Sequence, residues 1–176
     1  MEVSKPGSHV DHLLRQTRTH HMELSSMADL KANMLLTMAS VVITLSVPHL
    51  ITPHLKWAVL ILIASCLVTI ILAAFATMPK LPILLNSGSP PDITSPKFNL
   101  LFFGDFTRLS YEQFEAAMED IMNDPSRTYQ AQVRELYTLG LFLAKKKFRF
   151  VKLAYIAFIG GLFASGLVVL WVELLG

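Results

Sequence analysis

Apolar residues are spread along this chain in two unlike ways. Between His9 and Lys31, Leu13, Leu14 and Thr17, and then Met27, Leu30 and Met34, recur at three- and four-residue steps with few breakers. That is the period of one helix face. From Met34 the alternation gives way to a nearly unbroken apolar run, MLLTMASVVITLSVPHL (34–50). Two more follow, WAVLILIASCLVTIILAAFATM (57–78) and LAYIAFIGGLFASGLVVLWV (153–172). A helix needs about 17 to 25 such residues to cross bilayer hydrocarbon. The pattern predicts an all-α membrane protein with three transmembrane helices, over 34–50, 57–78 and 153–172. A cytoplasmic N-terminal helix occupies 1–33, a hairpin 51–56 and a tail 173–176 lie outside, and a small helical cytoplasmic domain fills 79–152. The first apolar run has neither the basic flank nor the small-residue cleavage pattern of a signal peptide.

The segment between the second and third runs changes character several times. MPKLPILLNSGSPPDITSP (78–96) is rich in Pro, Gly and Ser and predicts a loop. NLLFFGDFTRLS (99–110) begins as an apolar, strand-like run and breaks at Gly104, where a turn is expected with Asp105 as its cap. Ser110 and Gln113 have the spacing of a capping box, so a helix starts there, with Phe114, Ala117, Met118 and Ile121 on one face. Asp124 then caps a second helix that has Pro125 in its first turn. No proline follows Pro125, and the helical period continues through Tyr129, Val133, Leu136, Tyr137, Leu143 and Ala144 into the last apolar run. One uninterrupted helix of about 45 residues, close to 70 Å long, is expected, able to carry a movement mechanically to the bilayer.

Composition and charge refine this reading. The chain has 176 residues, 53% hydrophobic and 16% charged, with mean hydropathy +0.50. A soluble domain has about 25% charged residues. A net charge of +2 is too small for a nucleic-acid coat. The hairpin holds one basic residue, Lys56, whereas 79–152 holds ten, ending in KKKFRFVK (145–152). The positive-inside rule therefore puts the N-terminus and the central domain in the cytoplasm and the C-terminus outside. Trp57 and Trp171 both fall at the outer interface.

The third span presents Ala157, Gly161 and Ser165 at four-residue spacing, with Gly160 and Ala164 alongside, and the second offers Ser65, Thr69 and Ala73. Such residues let helices approach closely in lipid, either within one chain or between chains. No span carries an internal charge, which argues against a transporter with a mid-membrane site.

Little in the chain reads as catalysis. The single Cys66 has no partner, His9, His12, His20 and His21 join no metal-ligand set, and no nucleophile–base motif or phosphate loop is present. A non-enzyme without cofactor is expected. Asp29, Lys31 and Asn33 lie at the mouth of the first span, as a solvated collar with a snorkelling lysine or as part of a pocket.

Three stretches together carry a resemblance: MADLKANMLLTMAS, NLLFFGDFTRLSYEQFEAAMEDIMNDP and YTLGLFLAKKKFRFVKLAYIAF. In this order, over roughly residues 10 to 172, they resemble the transmembrane effectors of the Pycsar antiphage systems. The resemblance implies a partner pyrimidine cyclase that makes cyclic CMP or cyclic UMP on infection. It also implies an inner-membrane effector that the nucleotide triggers to impair membrane integrity; the absence of charges within the spans favours a homo-oligomeric rearrangement over a selective channel. Side-chain chemistry then nominates Arg108 and Lys31 for the cyclic phosphate, Phe103 or Phe106 for the base, and Asp105 or Asn33 for polar edges. The alternative is a scaffold membrane protein whose KKKFRFVK segment grips anionic lipid.

Overall fold

A computed structural model describes residues 7–78, 95 and 98–175; the side chains of Phe103 and Leu175 are outside the described set. The loop predicted over 78–96 falls almost wholly outside these residues. Among them the elements are helical, in the order α1 (Ser8–Ser46), α2 (Lys56–Thr77), α3 (Phe103–Phe106), α4 (Tyr111–Met122), α5 (Pro125–Phe142) and α6 (Arg149–Leu175). A 3-10 turn, Val47–Ile51, follows α1, and a π-helical segment, Leu143–Phe148, joins α5 to α6. Three helical stretches, Ser8–Ile51, Lys56–Thr77 and Pro125–Leu174, are long and apolar enough to cross a membrane. The chain divides into two compact units, Met1–Glu23 with Pro79–Phe142, and Leu24–Met78 with Leu143–Gly176.

The second of these units holds the apolar runs. Its core is built from Ala28, Ala32, Leu35 and Ala39 of α1, Cys66, Ala73 and Ala76 of α2, and Val151, Ala154 and Phe158 of α6. The inward face of α1 is thus its alanine stripe. Met27, Leu30 and Met34, which mark the helical period in the sequence, point outward and are exposed. Small side chains allow close helix approach, and lipid solvates the large ones. Gly161 of α6 packs on α2 so closely that a Cβ there would lie 1.8 Å from Ser65 Oγ. At least this part of the small-residue pattern therefore serves packing within one chain, whereas a Cβ on Gly160 would meet nothing within 4 Å. Polar side chains in the spans bond to their own helices. The hydroxyls of Thr37, Ser40 and Thr44 donate to the carbonyls of Asn33, Leu36 and Ser40, and those of Ser65 and Thr69 to Leu62 and Ser65.

In the first unit, α4 and α5 form a helical hairpin with both predicted starts in place. Ser110 Oγ accepts the Gln113 N–H and Gln113 Oε1 accepts the Ser110 N–H, a reciprocal capping box. Asp124 Oδ1 accepts the Ser126 N–H at 2.9 Å.

Two expectations need correction. The strand-like start of 99–103 is a turn leading into the one-turn helix α3. Asn99 Oδ1 accepts the Leu101 N–H at 3.1 Å, Asp105 Oδ2 accepts the Asn99 N–H at 2.9 Å, and the Phe102 carbonyl takes the Asp105 N–H. Side-chain acceptors have captured the donors that a strand ladder would need. Gly104 is required there by crowding, since a Cβ would come within 2.5 Å of the Phe102 ring. The second concerns the long C-terminal helix, which is one helical stretch over Pro125–Leu174 as expected but takes π geometry over Leu143–Phe148.

Candidate functional site

The first unit contains a cleft of about 430 Å³. One wall is a stripe of α1, Asp11, Leu14, Arg15 and Arg18, which the three- and four-residue spacing puts on one face. The opposite wall is Gln132, Glu135 and Leu136 of α5, and Leu101 closes the side. Three leucines thus line a cavity that also holds two guanidiniums and two carboxylates.

Three of those four charges differ sharply in their partners. Glu135 is 9% exposed, and its Oε1 lies 3.1 Å from Arg18 Nη2. Asp11 Oδ1 accepts the Tyr129 hydroxyl at 2.9 Å. That hydrogen bond, together with burial and the carboxylate's charge, holds the Tyr129 phenol above its ordinary pKa. Arg15 is exposed, and its guanidinium has no ion pair among the described residues.

A smaller cavity, about 190 Å³, is lined by Phe98, Asn99, Asp120, Ala131 and Arg134 among others. Arg134 Nη1 donates to the Phe98 carbonyl at 3.1 Å, and the Nδ2 of Asn99, a residue only 2% exposed, has no acceptor among the described residues.

The six residues nominated from sequence fall in both units. Lys31 and Asn33 belong to the unit of apolar helices, where both are exposed. Phe103, Asp105, Phe106 and Arg108 belong to the other. There Asp105 holds the Asn99 turn, and the Phe106 ring packs on Phe114 with centroids 5.1 Å apart. Arg108 is exposed, with its backbone N–H on the Asp105 carbonyl. Of the five whose side chains are described, none lines the 430 Å³ cleft. Sequence reading passes over the cleft because its two walls come from segments more than a hundred residues apart. The legible trace is an Arg15–Arg18 pair within an otherwise helical, partly apolar face.

At the start of the apolar unit, the third collar residue has a defined partner. Lys147, in the π segment, has its side chain only 11% exposed and donates at 2.7 Å to both Asp29 Oδ2 and Ser25 Oγ. Asp29 is therefore a structural anchor between α1 and the π segment.

Comparison with known proteins agrees with the motifs. The family model described as the Pycsar effector protein domain matches residues 12–173. No curated protein and no solved structure matches the chain. The match runs from the first turns of α1 almost to the end of α6 and takes in every lining residue of the cleft but Asp11, and the chain belongs to the Pycsar effector protein family of antiphage defence.

Proposed function

We propose that the protein is a multi-pass inner-membrane effector, activated by cyclic CMP or cyclic UMP from a partner pyrimidine cyclase, that impairs membrane integrity and arrests the infected cell. The family match over residues 12–173 carries this reading. The protein acts without catalysis or a cofactor of its own. Its N-terminus and the α3–α5 unit face the cytoplasm, where the nucleotide is made, and the C-terminus lies outside. The charge asymmetry between the 51–56 hairpin and the 79–152 segment supports that orientation.

Asp105 and Phe106 have fold-making partners, which favours a structural role for both. Arg108 remains an open cation for a phosphate, and Lys31 and Asn33 suit the headgroup level. The membrane lesion forms by assembly of several copies, since one chain's three apolar helices carry no charged path.

The test is membrane-potential dye uptake in cells expressing the protein with and without cyclic pyrimidine nucleotide. Depolarisation is expected only when both are present. No depolarisation in either condition overturns the proposal and favours a scaffold role.

A further inference from the structure

We propose that the α1–α5 cleft is an anion-binding site for the phosphodiester of a small ligand, and that the Glu135 carboxylate occupies Arg18 until that ligand arrives. The inference rests on the reading of the chain as nucleotide-activated and assigns the ligand to residues that reading does not name.

Volume and lining together separate the cavities of this unit: two of about 530 and 460 Å³ are lined, among the described residues, by α1 alone and offer no second wall. About 430 Å³ falls within the range of roughly 300–1,000 Å³ typical of small-molecule pockets, and about 190 Å³ falls below it. A cyclic mononucleotide needs one monoanionic group held by donors and one apolar wall for its ring. The larger cleft has both: Arg15 and Arg18 three residues apart on α1, and Leu14, Leu101 and Leu136 around them. Guanidinium forks match phosphate oxygens two at a time.

The two arginines are not equally available. Arg15 is unpaired among the described residues, whereas Arg18 sits 3.1 Å from Glu135. A phosphate held by the full fork of Arg18 as well as by Arg15 competes with that carboxylate, which is buried on α5. A buried charge stripped of its partner is costly. Glu135 must then turn or move towards water, and ligand binding loosens α1 from α5 at this contact. Asp11 differs, since it forms no ion pair with either arginine among the described residues and its Oδ1 accepts the Tyr129 hydroxyl.

The experiment is isothermal titration calorimetry on the full chain in phosphatidylcholine nanodiscs. Cyclic CMP and cyclic UMP are the probes, with inorganic phosphate as control. At least one pyrimidine nucleotide is expected to bind, and Arg15→Gln and Arg18→Gln to weaken it tenfold or more. Glu135→Gln, which keeps the shape but removes the charge, is expected to tighten binding at least threefold. Arg18→Gln and Glu135→Gln break the same ion pair, so lost structure moves their affinities in the same direction; opposite movement supports the proposal.

Nucleotide binding by the wild type that Arg15→Gln and Glu135→Gln leave unchanged overturns the cleft alone. Absence of binding by the wild type overturns the nucleotide reading and the cleft together. Inorganic phosphate binding as tightly as nucleotide means an adventitious ion only and also overturns the assignment. So does loss of nucleotide binding in phosphatidylglycerol nanodiscs, which would identify a lipid headgroup as the occupant.

Discussion

Gly161 and Tyr129 show how much a single residue decides in this chain. A Cβ at Gly161 would overlap Ser65 Oγ, whereas one at Gly160 or Gly166 meets open space. Overpacking a close contact costs about 1–3 kcal/mol. Gly161→Ala is therefore expected to lower the thermal midpoint in detergent by several degrees, with Gly160→Ala unchanged. Equal midpoints for the two variants would refute the packing described for α2 and α6. The sequence announces both glycines in the same small-residue pattern. Which of them faces a partner helix depends on the rotation of α6, which periodicity alone does not determine.

Tyr129 gives the protein a pH-dependent contact. Its phenol donates to Asp11, and its pKa in the fold is raised above the ordinary value of 10.0. The protonated form is the stabilising one. Its contribution is complete below pH about 10 and is lost as pH rises through the higher folded value, where a phenolate would face a carboxylate. Unfolding midpoints measured across alkaline pH are expected to fall in that window, and Tyr129→Phe to remove that part of the fall. A parallel alkaline profile in Tyr129→Phe would show that the Asp11 contact contributes nothing.

At the scale of elements, the helix starts were the most legible. Ser110, Gln113, Asp124 and Pro125 are local signals, and each acts within three residues of itself. The inward face of α1 was less legible, because the largest apolar residues mark the period while the alanines make the contact. In water the large face would be buried; in lipid the preference reverses.

The π segment leaves no periodic trace, since one widened turn hardly disturbs an apolar pattern read over dozens of residues. Such segments are rare and concentrate at functional sites. Here it holds Lys147, bridged to Ser25 and Asp29. Asp29 is partly open to water, so stranding it costs less than a fully buried charge would. Lys147→Met is expected to destabilise by about 1–2 kcal/mol, measured by denaturant unfolding. Asp29→Asn added to it should cost little more, because the bond it would break is already gone. Full additivity of the two substitutions would show that they act separately.

Over the whole molecule, three spans and a helical insert followed from composition and periodicity. The α1–α5 cleft did not, because clefts are assembled from side chains that only tertiary structure brings together. Arg108 is nominated by sequence because it stands among aromatic residues there. Arg15 and Arg18 stand in a plain amphipathic helix and needed α5 opposite them to become notable.

The hydroxyls of Thr37, Ser40, Thr44, Ser65 and Thr69 each donate to a carbonyl of their own helix. Each hydroxyl has given its proton to its own helix and keeps only oxygen lone pairs for a passing ion, too few along one chain to replace a hydration shell. Conductance in planar bilayers should then rise more steeply than the first power of protein density once nucleotide is present. A strictly linear rise would mean that one chain alone opens the leak.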